Sequence, residues 1–230
     1  MKSAKNNSIL ESVLDPRNFA WAGLIAMATL AISVAIVSAS DTTQLSQSIS
    51  GTIDVQIVDE SGNAVASPAV AFPGKSFSTT YQTSDATLGT ASQKMRLTNP
   101  SGTTDTWTLN VAATGGATAS WSNGTNSYDF NDATASAGDG ADTDSFGGQM
   151  TIDPSVGTIA GVGGTATANV SKGTSDSFVE GSVDSIDLMS ASAGAAKPGQ
   201  WDLTGVSLSQ SIPASQATGS YTLDLTLTAV

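Results

Sequence analysis

Seven aspartate and asparagine side chains, which offer hard oxygen ligands, fall between positions 129 and 153: Asp129, Asn131, Asp132, Asp139, Asp142, Asp144 and Asp153. No basic residue interrupts the stretch. Carboxylates held this close repel one another unless a cation or water separates them. Calcium takes six to eight oxygens from carboxylates, amide carbonyls and backbone. Two readings stay open. One is a structural calcium site in which Asp142 and Asp144 fold round an ion beside Gly140, with Asp129 or Asn131 closing its sphere. The other is a solvated acidic loop. An EF-hand is excluded, because no D-x-D-x-D-G run with a glutamate at its twelfth position occurs.

What is missing constrains catalysis. The chain contains no histidine and no cysteine, which removes the Ser-His-Asp triad, the Cys-His dyad and His- or thiolate-built zinc sites. Neither Lys94 nor Lys172 has a serine three residues ahead of it. Pro73-Gly74-Lys75-Ser76 resembles the end of a phosphate loop, but the first glycine would fall at Ala69 and no helical pattern follows. Paired carboxylates suited to glycoside hydrolysis remain, yet Glu60 and Glu180 are the only glutamates after the first forty residues. The expectation is a protein that is not an enzyme. Trp121, next to Ser122-Asn123-Gly124 at a hairpin tip, is the candidate for a binding face, whereas Trp107 alternates with Leu109 and Val111 as a core residue does.

The elements that must position these residues begin with a membrane signal. Asn18 to Ser40 carries no charge, and about 20 apolar residues span a hydrocarbon core of about 30 Å. Lys2, Lys5 and Arg17 precede it and Asp41 follows, so the positive-inside bias exports the rest. Residues 1–40 are a signal peptide or a retained N-terminal membrane anchor, and the membrane is met only through this segment. Residues 41–230 are the exported domain, found at the cell surface or outside the cell.

That domain reads as all-β, an antiparallel β-sandwich. Period-two alternation marks strands at Thr52 to Val58, Gln93 to Thr98, Thr106 to Val111 and through Tyr221, Leu223, Leu225 and Leu227. Weaker candidates are Phe77 to Tyr81, Ala117 to Trp121, Ser127 to Phe130, Gln149 to Ile152, Ala166 to Val170, Ser185 to Met189 and Trp201 to Leu208. Turns are expected at Asp59 to Asn63 and at Asn99-Pro100-Ser101-Gly102, with a type I′ hairpin at Asn123-Gly124. A long acidic loop is expected near 131–148. Leu45-Ser46-Gln47-Ser48-Ile49 recurs as Leu208-Ser209-Gln210-Ser211-Ile212.

Charge bounds the partners. After residue 40 the chain has five basic and eighteen acidic residues, and Lys75, Lys94, Arg96, Lys172 and Lys197 form no cluster. Nucleic-acid binding is excluded on that ground, since it needs clustered cations to displace counterions. Without cysteine there is no disulfide framework, so the exported part must bury a real core.

Trp107-Thr108-Leu109, preceded by Leu97-Thr98-Asn99-Pro100-Ser101-Gly102, resembles the WxL domain of Gram-positive bacterial surfaces. At the other end Ile212-Pro213-Ala214 followed by Gly219-Ser220-Tyr221 resembles the family's closing turn and strand. Leu225-Thr226-Leu227 stands where the family has its second Trp-x-Leu, and Trp201-Asp202-Leu203 lies one strand earlier. The resemblance implies non-covalent binding to a cell-wall polymer. Three functions follow as expectations: a non-enzymatic surface protein, structural or adhesive, meeting an envelope polymer or itself; a filament or surface-layer subunit assembling by strand addition through Asp41 to Ser50; and a carbohydrate-binding module.

Overall fold

The computed structural model describes residues 51–133 and 147–230. Along them run β1 (Asp54–Val58), β2 (Gln82–Leu88), β3 (Lys94–Asn99), β4 (Trp107–Ala113), β5 (Trp121–Ser122), β6 (Ser127–Tyr128), β7 (Asn131–Asp132), β8 (Gly148–Asp153), β9 (Thr158–Gly161), β10 (Val170–Lys172), β11 (Asp176–Ser177), β12 (Ser185–Ala191), β13 (Gly199–Thr204), β14 (Val206–Ile212) and β15 (Leu225–Ala229). The fold is an all-β sandwich of antiparallel sheets, as expected. Its helical turns, within the described residues, are two 3₁₀ pieces at Gly116–Thr118 and Pro154–Val156. No helix among the described residues is long and apolar enough to cross a membrane. The apolar run 18–40 lies outside them.

Two sheets, ordered β1-β3-β13-β9 and β11-β8-β14-β2, meet at a corner where three chain connections pass between them. β2 runs into β3, β8 into β9 and β13 into β14, and each passes from one sheet to the other. Strands that switch sheets through bends are how sandwiches make such corners. The bend needs glycine. Gly89 and Gly205 have φ of 80° and 77°, the left-handed region where a Cβ is strained. Gly205 N–H donates to the Gly89 carbonyl at 2.7 Å and ties the two crossings together. At the third crossing, a Cβ on Gly157 would lie 2.9 Å from the Thr204 carbonyl oxygen.

The third sheet, β10-β12-β4-β15, closes the core. Alternation decides which side chains enter it: Met95 and Leu97 from β3, Trp107, Leu109 and Val111 from β4, Met150 and Ile152 from β8, and Val206 and Leu208 from β14 are all buried. A register shift between Asp187 and Met189 in β12 lets the consecutive Leu188 and Met189 both point inward. Trp107 and Trp201, the tryptophans of the two Trp-x-Leu tripeptides, pack with ring centroids 5.0 Å apart. Both are core residues.

Strands lie where they were expected at β1, β3, β4, β6, β8 and β12, but the closing strand begins only at Leu225, so Tyr221 and Leu223 precede it, and Ala166 to Asn169 is irregular before β10. Phe77 to Tyr81 is irregular; the strand lies just after it as β2, whose sequence QTSDATL carries little apolar signal. Ala117 to Trp121 contains a 3₁₀ turn rather than a strand. Trp201 to Leu208 is two strands, broken at Gly205. The Asn123-Gly124 hairpin exists, but its loop has four residues, Asn123 N–H donating to the Asn126 carbonyl while the Asn123 side chain accepts from the N–H groups of Thr125 and Asn126. Asp59 closes its turn in the same way, accepting from Ser61 and Asn63 N–H. Asn99, fully buried, closes the next, with its amide on the Thr104 carbonyl and its oxygen on Ser101 N–H.

Candidate functional site: an aromatic cleft and an apolar groove

Trp121 opens the short hairpin β5–β6 and lies half-buried in a row of rings. Phe72 meets it edge-on at 5.5 Å, Tyr128 stacks on it at 6.1 Å and 12°, and Tyr221 meets Tyr128 at 5.1 Å. Polar groups fix the row. Trp121 Nε1 donates to Gln210 Oε1 at 2.9 Å, and the Gln210 amide donates to the carbonyls of Asp129 and Ser211. The Tyr221 hydroxyl donates to the Ala217 carbonyl and accepts from Gln216. Burial, with Tyr221 adding to it, pushes the Tyr128 hydroxyl up to about 12, so it stays protonated in the physiological range.

These rings line a cleft of about 400 Å³, whose rim carries the exposed Phe77 and Lys75. No helix follows Lys75, so nothing there makes a phosphate loop. Beside the cleft, across the segment Val70 to Phe72, lies a groove of about 450 Å³. Val55 and Ile57 of β1 form one wall, Leu223, Leu225 and Leu227 the other, and Leu88, Val111, Met150 and Leu208 the floor. Volumes of this order are those of ligand sites. Aromatic faces, amides and hydroxyls line the cleft and an apolar trough lines the groove, surfaces suited to binding.

The acidic constellation is only partly assembled within the described residues. Asp129, Asn131 and Asp132 lie together at the start of β7, each under a tenth exposed. The Asn131 amide is occupied by the Ala117 carbonyl. Asp153 is elsewhere: Asp132 pairs with Gly148 at one end of β8 and Asp153 ends the other, about 17 Å away at the rise of a strand. There its carboxylate caps the following 3₁₀ turn through Ser155. Asp139, Asp142 and Asp144 lie outside the described residues. Glu180, distant from this set along the chain, comes to it when its N–H donates to the Asn131 carbonyl, and it too is buried. Among the described residues no group of three or more His, Cys, Asp or Glu is placed to hold a metal ion.

No family model, curated protein or solved structure matches this chain.

Proposed function

We propose that the chain is a non-enzymatic surface protein, structural or adhesive, whose exported β-sandwich contacts an envelope polymer or another copy of itself. The observation that carries this is the pairing of the aromatic cleft with the apolar groove on a domain otherwise closed round one core. The absence of histidine and cysteine supports the non-enzymatic part. The likeness to the WxL domain favours a wall polymer, and because Trp107 and Trp201 are buried, contact would run through the cleft rather than through the motif tryptophans. Cell fractionation with sequencing of the mature amino end tests export and anchoring together. Recovery of the protein in the cytoplasmic fraction would overturn the reading.

A second reading, a carbohydrate-binding module, is favoured by the row of rings at Trp121, since a half-exposed aromatic cleft that holds amide groups suits a sugar ring. Trp121→Ala should then abolish retention on envelope polysaccharide while the melting midpoint shifts only modestly.

A further inference from the structure

Two edges of the sandwich turn backbone groups toward the apolar groove; on β1 the segment at Ala64 and Val65 meets part of them, and on β15 no hydrogen bond from a described residue meets those of Leu225, Leu227 and Ala229. In the β4–β15 ladder Thr108 and Val230 exchange both hydrogen bonds, at 2.8 and 3.0 Å. Antiparallel ladders alternate, so the N–H and C=O groups of Leu225, Leu227 and Ala229 point away from β4. On β1 the Ile57 carbonyl accepts from Val65 N–H at 2.9 Å, hence away from β3, and the same alternation turns Val55 outward. Leu225 and Leu227 on the edge strand, with Leu223 just before it, are meanwhile only half-buried and form a continuous apolar row. Natural sheets rarely leave such an edge open, because it templates another strand.

The sequence contains a segment of matching character. Leu208-Ser209-Gln210-Ser211-Ile212 forms most of β14, where Leu208 and Gln210 are each 1 % exposed and the serines face the other side. The same five residues stand at Leu45 to Ile49. Their alternation continues without a break, since Leu45, Ile49, Ile53, Val55 and Ile57 are all in one phase. A straight extension of β1 keeps that phase, whereas a two- or four-residue reversal at Gly51 would turn Leu45 and Ile49 to the opposite face. The ten residues 41–50 span about 33 Å when extended, enough to leave the domain they belong to.

We propose that residues 43–50 of one copy add as a strand to the open edge of β15 in a second copy, with Leu45 and Ile49 entering the groove between Leu223, Leu225 and Leu227 on one side and Val55 and Ile57 on the other. Because donor and acceptor are different surfaces, the contact is head-to-tail and propagates into a filament. It rests on the reading of the chain as an exported surface protein.

The chain has no cysteine, which makes disulfide trapping clean. Full-length copies carrying only Ile49→Cys are co-expressed with differently tagged copies carrying only Leu223→Cys, Leu225→Cys or Leu227→Cys, and oxidised in the membrane or culture fraction. Mixed-tag dimers are expected for at least one groove position, several-fold above a control with the exposed Ser171→Cys. Adding Leu45→Asp to the Ile49→Cys copy should remove them without lowering the amount of folded protein. Dimers no more frequent than in the control would overturn the proposal. So would efficient trapping only within single chains that carry both cysteines, which would put the segment in its own groove. Export is read from the same fractions, so failure of assembly is distinguishable from failure of the surface reading.

Discussion

Arg96 holds Asp202 with two hydrogen bonds, Nε to Oδ1 at 2.7 Å and a terminal nitrogen to Oδ2 at 2.9 Å. The two residues are opposite each other on β3 and β13, on the face turned away from the core, and Lys94 adds a third contact at 3.4 Å. Burial opposes ionisation of Asp202, but the hydrogen bonds from Arg96 and the charges of Arg96 and Lys94 outweigh it and hold the carboxyl below its ordinary range. A depressed folded value contributes stability above the unfolded value, about 3.9, and that contribution is lost as pH falls through the lower folded value. Acid unfolding of the wild type and of Asp202→Asn should therefore converge below about pH 4. Arg96→Met should cost about 1.5 to 3 kcal/mol at neutral pH, the range for hydrogen bonds to a charged group, with Lys94 left to pair the carboxylate. Chemical denaturation across pH checks both, and a constant gap between wild type and Asp202→Asn down to acid pH would contradict the first.

The two motif tryptophans differ in one hydrogen bond. Trp201 Nε1 donates to the Ala166 carbonyl at 3.0 Å, while Trp107 Nε1 is buried without an acceptor. Either change to alanine should cost roughly 3 to 5 kcal/mol. Replacement by phenylalanine should separate them, Trp201→Phe losing about 1 kcal/mol more because only there is a hydrogen bond given up. Equal losses in urea melts would contradict the assignment.

At the corner, Gly205→Ala and Gly89→Ala both force a side chain into positive φ, at roughly 1 to 2 kcal/mol. Gly89 should be the worse site. Its Cβ would lie 2.9 Å from the Leu203 carbonyl, whereas at Gly205 the nearest atom is 3.8 Å away. Thermal unfolding of the pair gives the order directly.

Asp153→Ala should cost about 0.5 to 2 kcal/mol through the lost cap. The loss should be the same with millimolar calcium as with chelator, since Asp153 stands at the far end of β8 from Asp129 and Asp132. A loss that appears only with calcium would return Asp153 to a metal site.

Alternating strands such as Trp107 to Ala113 were legible because every second residue is large and apolar, so burial on one face is written into the order of residues. β2 was not legible, since QTSDATL buries only Ser84 and Leu88 and takes its place from its neighbour β14. Trp121 was legible as a candidate from its position beside a turn. Its partners Phe72, Tyr128, Gln210 and Tyr221 were not, because they converge from distant parts of the chain and no local spacing announces them. Asp153 was grouped with Asp129 by nearness in sequence, and an extended strand carries neighbours in sequence apart in space.

Because three chain connections pass between the sheets at one place, the strands on either side of Gly89, Gly157 and Gly205 are coupled in register. A residue inserted into any one of them would move every later side chain in that strand to the wrong face, unless a bulge absorbed it at once. Relatives of this chain should therefore differ freely in the loops at the two rims while keeping the number of residues between Ser84 and Leu97, between Met150 and Ile159, and between Leu203 and Leu208. That conserved spacing, rather than any tripeptide, is the signature by which distant kin would be recognised.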